Sequence, residues 1–182
     1  MVYKYIELTE KGIYKSDVEI KNALKKDKIY KIEYGLYSDK RVNSKLEIIS
    51  KKYDKYIFNS DSAFFYWGLT DNIPEKYYFA TKRGSQKIND DNIVQTYMDD
   101  KYFDIGDTFI NYNNIKIRIY DKERMLIELV RNKNNIPYDM YKEIVNNYRK
   151  IIESLNLIKL QNYLSKFTLG KKYFKMIQDE VL

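Results

Sequence analysis

The chain has 182 residues, 44% of them hydrophobic and 32% charged, and a formal net charge of +7. It contains no cysteine and no histidine, which excludes disulfides, thiolate nucleophiles, Cys/His metal sites and imidazole general-base catalysis. Carboxylates with a hard cation such as magnesium, or an unusual Lys or Tyr, are the chemistry that remains.

The length suits one medium domain, or a domain with a small appended module. No apolar run approaches the roughly 20 residues that span a bilayer and no signal-peptide core follows Met1, so the expectation is a cytoplasmic chain without a membrane partner. Charge is unevenly spread. Residues 1–55 carry 14 Lys/Arg against 9 Asp/Glu, residues 56–114 carry 5 against 9, and residues 115–182 carry 14 against 8. The ends are therefore basic (+5 and +6) and the middle acidic (−4). An AT-rich genome enriches Lys everywhere but does not sort it in this way, so a polyanion partner for one end is indicated.

Val2 to Lys11 is predicted as a first helix closed by Gly12. Ser16 and Asp17 are N-cap residues for a second, with Asp17 and Glu19 in the first turn where the helix dipole favours acids. Val18, Ile20 and Leu24 are its expected apolar side, and Lys21, Lys25, Lys26 and Lys28 its exposed side. Ile29 to Ile32 alternates as a strand, Tyr34-Gly35 turns, and Leu36-Tyr37 returns. Two helices followed by a small hairpin outline a winged helix over residues 1–42. Between Gly12 and Ile29, however, there is room for only one of the two helices that a helix-turn-helix places after the first. A helical lead-in packed on the main domain, with the lysines merely solvated, is the plainer reading of the same residues.

Asn43 or Ser44 caps a connector helix through Tyr53, with Leu46, Ile48 and Ile49 inward, so that residues 43–55 lead to a main domain spanning 56–182. Tyr56 to Phe58 is a short strand. Ser60 or Asp61 then caps a helix whose aromatic run, Phe64-Phe65-Tyr66-Trp67, implies burial on every side. Gly68 supplies the left-handed end, Leu69 plugs it, and Pro74 forbids further helix. Asp71 is expected to bond its own backbone in that turn. Lys76 to Lys82 and Ile93 to Met98 read as strands, with Asp99-Asp100 as a turn. Thr108 to Tyr112 and Ile115 to Tyr120 form a hairpin across Asn113-Asn114, which tolerate left-handed positions.

Asp121 caps a helix running to about Asn132, with Met125, Leu126, Leu129 and Val130 as its core stripe. Glu123, Arg124, Glu128 and Arg131 lie off that stripe, Arg124 and Glu128 one turn apart and Glu128 and Arg131 three apart, an arrangement for ion pairs. With Asp121 the acids are a metal-site candidate, but a structural salt-bridge network accounts for them better. Helices over Tyr138–Ser154, Leu157–Phe167 and Lys171–Leu182 finish the chain, the last two separated by Gly170. Lys82 and Arg83, with Lys166, Lys171, Lys172 and Lys175, are candidates for an anion- or partner-binding face. Lys21, Lys25, Lys28 and Lys31 are the candidate DNA contacts. The fold class is α+β, with no catalytic residue, metal site or cofactor assigned.

Two stretches, GLTDNIPEKYYFATKRG (Gly68 to Gly84) after Ser60-Asp61-Ser62-Ala63 and YDKERMLIELVRNK (Tyr120 to Lys133), resemble the AbiE-type (AbiEi family) antitoxins. IEYGLYS (Ile32 to Ser38) is similar to the Gly-x-Tyr ending of that family's winged helix. The resemblance covers roughly residues 29–182. These are the antitoxin halves of bacterial type IV, abortive-infection toxin–antitoxin pairs. The resemblance implies an N-terminal winged helix that represses its own operon, here with a segment before the wing that is shorter than the family's usual helix-turn-helix. It further implies an α/β domain with a helical end that opposes a nucleotidyltransferase-like toxin. Glu128 stands where the family's helix commonly has Asp. The sequence thus supports an antitoxin and autoregulator bound to operator DNA. A protein-interaction module of the same fold without DNA binding, and a carboxylate/magnesium enzyme, are the alternatives.

Overall fold

The first backbone pairing of the chain is a strand. A computed structural model describes residues 1–182, which divide into two compact units: residues 1–55 with 113–116, and residues 56–112 with 117–182. Together they hold nine α-helices and two sheets, an α+β architecture.

In the first unit β1 is Val2–Lys4, α1 Tyr5–Glu10, α2 Asp17–Lys25, β2 Tyr30–Glu33, β3 Leu36–Ser38 and α3 Lys45–Lys52. The expected single helix from Val2 to Lys11 is thus corrected to a strand and a shorter helix. Val2 and Lys4 pair antiparallel with Ser38 and Leu36, a long-range ladder that overrides local helix preference. Helix α1 begins where Glu7 Oε2 turns back to accept the Lys4 N–H at 2.8 Å. It ends at Gly12, whose φ of 66° is the left-handed stop. Sheet order is β1-β3-β2, antiparallel throughout.

Ser16 caps α2, accepting the Glu19 N–H at 3.3 Å, and Glu19 Oε2 accepts the Lys15 N–H at 2.7 Å. Leu8, Ile20, Ala23 and Ile29 form the small core, with Tyr3, Tyr14, Leu24 and Tyr37 packed on it. Val18 does not join it and is 65% exposed. Two helical residues apart means nearly opposite faces, so Ile20 inward places Val18 outward. Ser44 caps α3 through the Glu47 N–H at 3.1 Å, but only Ile49 of its predicted inward residues is fully buried.

In the second unit β4 is Ile57–Phe58, α4 Ser60–Tyr66, β5 Tyr77–Lys82, β6 Ile93–Met98, α5 Asp100–Phe103, β7 Asp107–Tyr112, β8 Ile115–Tyr120, α6 Lys122–Arg131, α7 Tyr138–Lys150, α8 Leu157–Leu164 and α9 Gly170–Glu180. Sheet order is β6-β5-β4-β8-β7, with β4 antiparallel to β5 and parallel to β8, and β5 parallel to β6. The turn between β7 and β8 uses Asn113 and Asn114 at φ 49° and 64°.

Helix α4 departs from its sequence reading in two ways. Its N-cap is Asn59, without a side-chain cap bond, and Ser60 sits at φ 48°. Nor is it buried all round: Phe64 is buried while Phe65, Tyr66 and Trp67 are half-buried. One short helix turns its aromatic run through most of a circle. Phe64 enters the core, Tyr66 meets Tyr112 edge-on at 4.8 Å, and Trp67 donates its indole N–H to Tyr120 O at 2.8 Å. Gly68 and Leu69 then end it, with φ 66° and full burial respectively.

The turn that follows is bonded by Thr70 rather than Asp71: the Thr70 hydroxyl accepts the Asn72 N–H at 3.1 Å, and Asp71 is exposed. Asp99-Asp100, read as a turn, opens α5, which Asp99 caps through the Lys101 N–H at 3.2 Å. Gly170 is the first residue of α9 rather than a break before it, and a Cβ there would lie 1.9 Å from Leu164 O. No helix is long and apolar enough to cross a membrane.

Candidate nucleic-acid interface and buried ionic network

Lys21, Lys25, Lys28 and Lys31 are all exposed. Lys21 and Lys25 are one turn apart on α2, Lys28 follows its end, and Lys31 lies on β2. The ion pairs of this unit engage other cations. Lys4 meets Asp54 at 2.5 Å, Lys51 meets Glu7 at 2.6 Å, and Lys52 meets Glu33 at 3.1 Å. Lys11 also meets Glu7, at 3.2 Å, and Arg41 meets Asp27 at 4.0 Å. At the β2–β3 turn Tyr34 is 95% exposed, 5.9 Å from the Lys31 ammonium. Gly35, at φ 76°, makes that tight turn. Tyr34-Gly35 was expected to turn, but Tyr34 was not among the candidate contacts, because an aromatic residue at a turn gives no local sign of how far it will be exposed.

The two acids in the first turn of α2 are spent locally. Tyr5 donates its hydroxyl to Asp17, and Glu19 is bonded to the Lys15 N–H. No ion pair to Lys21 or Lys25 accompanies these bonds, and the exposed lysines that follow the acidic first turn of α2 are the kind of surface that a phosphate backbone selects.

In the second unit the candidate anion-binding residues fall into two states. Lys82 reaches Asp104 at 3.6 Å and lies over the Phe103 ring at 5.3 Å, and Lys175 pairs with Asp179 at 2.8 Å. Arg83, Lys166, Lys171 and Lys172 are exposed. The segments are linked through Tyr102, which stacks on Phe167 at 4.5 Å and shares a 2.9 Å hydrogen bond with Thr168.

The charged group on α6 is largely interior. Glu123, Arg124 and Glu128 are buried, which the apolar stripe alone did not indicate, because α4, α8 and α9 pack around α6. Arg124 donates from Nε to Glu128 Oε1 at 2.9 Å and from Nη1 to the carbonyls of Tyr102 and Ile105 at 2.6 and 3.1 Å. Its Nη2 is 2.7 Å from Glu128 Oε1 but off the hydrogen-bonding direction, so that contact is one of charge alone. The guanidinium lies over Tyr120 and Phe167 at 4.6 and 4.9 Å. Arg131 Nη1 adds a second bond to Glu128 at 2.6 Å. Burial works against the charge of Arg131, but Glu128 outweighs it and its pKa is raised.

A scan of protein-family models and a search of curated proteins return no match for this chain.

Asp121, the cap of α6, accepts the Arg124 N–H at 2.8 Å with Oδ1, and the Tyr163 hydroxyl and Lys159 Nζ, each at 2.8 Å, with Oδ2. Glu123 accepts the Asn156 N–H at 2.9 Å. Burial opposes the charge of Lys159, yet Asp121 and Glu123 raise its pKa. Burial first, then Asp121, pushes the Tyr163 hydroxyl up to about 12. The carboxylates that sequence offered as a metal candidate are each engaged by nitrogen or hydroxyl donors, and two of them, Asp121 and Glu123, tie the start of α6 to α8 and its cap. The Gly68–Pro74 segment is tied to α7 in the same manner, through Glu143 and through Asn147, whose amide donates to Leu69 O at 3.0 Å.

Proposed function

We propose that the chain is the antitoxin and transcriptional autoregulator of a bacterial type IV toxin–antitoxin operon, acting in the cytoplasm against a nucleotidyltransferase-like toxin. The observation that carries this reading is the order of elements in the first unit. A strand, two short helices and a hairpin follow one another, and their three strands form one sheet in the order β1-β3-β2. Read as a winged helix, α1 is the supporting helix, α2 the groove-reading helix, and the β2–β3 turn the wing. Only α2 lies between Gly12 and Ile29, so this reading has one helix fewer than a full helix-turn-helix. Lys21, Lys25, Lys28 and Lys31 then face one duplex. The antitoxin half of the reading rests on the resemblance of Gly68–Gly84 and Tyr120–Lys133, whose residues serve here as caps, plugs and ion pairs.

The test is a mobility-shift titration on the DNA upstream of the chain's own operon. The intact protein shifts that DNA with an affinity that falls as salt rises. Changing Lys21, Lys25 and Lys31 to Ala lowers the slope of log affinity against log salt by about 2 to 3. Unaltered binding by the triple variant would remove the assigned contact surface. Co-expression with the neighbouring toxin gene tests the second half: rescue of growth that depends on this chain supports it, and continued toxicity sinks it.

A protein-interaction module without DNA contact is favoured by a different observation. Ile6, Val18 and Tyr34 are large apolar side chains held in solvent on the same unit. On that reading no DNA shift is seen at any salt concentration.

A further inference from the structure

We propose that the second unit binds an amino-bearing nucleobase in a cavity walled by α4, β5, β6, α6 and the approach to α7. The cavity has a volume of about 460 Å³, within the span of roughly 300–1,000 Å³ that small-molecule sites occupy. Its two polar walls differ in what they have left to offer. On one, Glu128, Arg131 and Asn132 satisfy each other. Arg131 Nη1 is 2.6 Å from Glu128 Oε1, and the Asn132 amide is 3.2 Å from Oε2.

The opposite wall is acceptor-rich and underused. Asp61 receives the Ser60 hydroxyl at a long 3.3 Å and is hydrogen-bonded to the Tyr78 side chain, while a carboxylate has about four acceptor directions. Asn59 is 3% exposed and its side-chain oxygen has no hydrogen-bond partner. An Asn in the N-cap position ordinarily bonds the first helical turn, and this one does not. Ser60 beside it is held at φ 48°, a conformation that costs free energy in a residue with a Cβ. The Asn59–Asp61 segment is therefore arranged in a way that does not serve the capping of α4.

Aromatic rings complete the cavity: Tyr78 from β5 and Tyr97 from β6, the last 47% exposed, with the buried Phe64 of α4 behind them. Rings offer a flat ligand its stacking surface. The Asp61 carboxylate repels an anion and accepts N–H donors, so free phosphate or a carboxylate ligand does not suit this wall. A planar heterocycle with an exocyclic amino group suits both features. The proposal is independent of DNA binding by the first unit.

Calorimetric titration of the full chain with guanosine, adenosine, cytidine, uridine and ribose decides the matter. The three amino-bearing nucleosides are expected to saturate at one per chain, with uridine and ribose at least tenfold weaker. Asp61→Asn weakens the amino-bearing ligands about tenfold or more, the size of a lost charge-assisted hydrogen bond. Tyr97→Ala, a change at an exposed ring, weakens them severalfold while leaving the melting temperature unchanged, and so serves if Asp61→Asn fails to fold. Absence of saturable binding by every nucleoside overturns the proposal, as does uridine binding as tightly as cytidine, or full affinity in both folded variants.

Discussion

Glu143 on α7 accepts the Thr70 hydroxyl at 3.0 Å, and its other carboxylate oxygen accepts the Asp71 N–H at 2.8 Å. One acid thus anchors the exit of α4 onto a helix far along the chain. Hydrogen bonds to a charged acceptor contribute more than neutral ones. Glu143→Ala is expected to destabilise the protein by about 1–3 kcal/mol, a drop of several degrees in melting temperature. An unchanged melt would mean that Leu69 burial and the Asn147 bond to Leu69 O hold the loop without Glu143.

Glu7 makes stability depend on acid. Burial works against its charge, but hydrogen bonds from Lys51 and from the Lys4 N–H outweigh that and hold its pKa at about 2. Because the folded value lies below the unfolded one, its contribution is complete above the ordinary carboxylate pKa and fades as pH falls from about 4.5 through about 2. Urea midpoints compared at pH 6 and pH 3 should differ less in Glu7→Gln than in the parent. Equal differences in the two proteins refute the assignment.

Breaking the Arg124–Glu128 pair should be severe in either direction. Arg124→Met leaves Glu128 buried with Arg131 as its one cation and the Asn132 amide beside it, and strands the Tyr102 and Ile105 carbonyls. A loss of about 3–5 kcal/mol is expected by chemical denaturation. Glu128→Gln leaves two guanidinium groups facing one amide and should also lose stability. Replacing both Arg124 and Glu128 by apolar residues should cost less than the sum of the two single changes. Strict additivity would show that the pair is not coupled.

Two glycines with positive φ should respond differently to alanine. At Gly106, φ is 81° and a Cβ would lie 2.4 Å from Arg124 Cβ, so strain and collision combine. At Gly35, φ is 76° with open space around it, leaving only the backbone term. Gly35→Ala is expected to cost about 1–2 kcal/mol and Gly106→Ala clearly more. Similar melting temperatures for the two variants contradict this account.

Local chemistry was legible before the fold was known. Ser16, Ser44 and Asp121 cap the helices they precede, because a short side-chain oxygen can reach an N–H two or three residues on whatever lies further away. Asn113-Asn114 turn the hairpin for an equally local reason, and the ion-pair spacing within α6 follows from helix geometry. The candidate lysines of the first unit were readable as an exposed row, although the apolar side set against them, Val18, Ile20 and Leu24, was right for Ile20 and wrong for Val18, and did not include the buried Ala23.

The tertiary structure decided what depends on partners distant in sequence. Val2–Lys4 is a strand because β3 offers it a ladder, and no property of these three residues announces that partner. Glu123 and Arg124 are interior because α8 and α9 close over a helix whose own period leaves them outside its apolar stripe. The aromatic run at Phe64–Trp67 signalled burial on all sides; packing divided it between the core, Tyr112 and a carbonyl on β8. At the head of the same helix, the sequence nominated Ser60 or Asp61 as the cap. Long-range pairing of β4 with β5 instead set Asn59 there, with its side-chain oxygen unpartnered beside a cavity. Caps and turns are short-range and survive translation from sequence to fold, whereas burial and unpaired polarity are properties of the assembled neighbourhood.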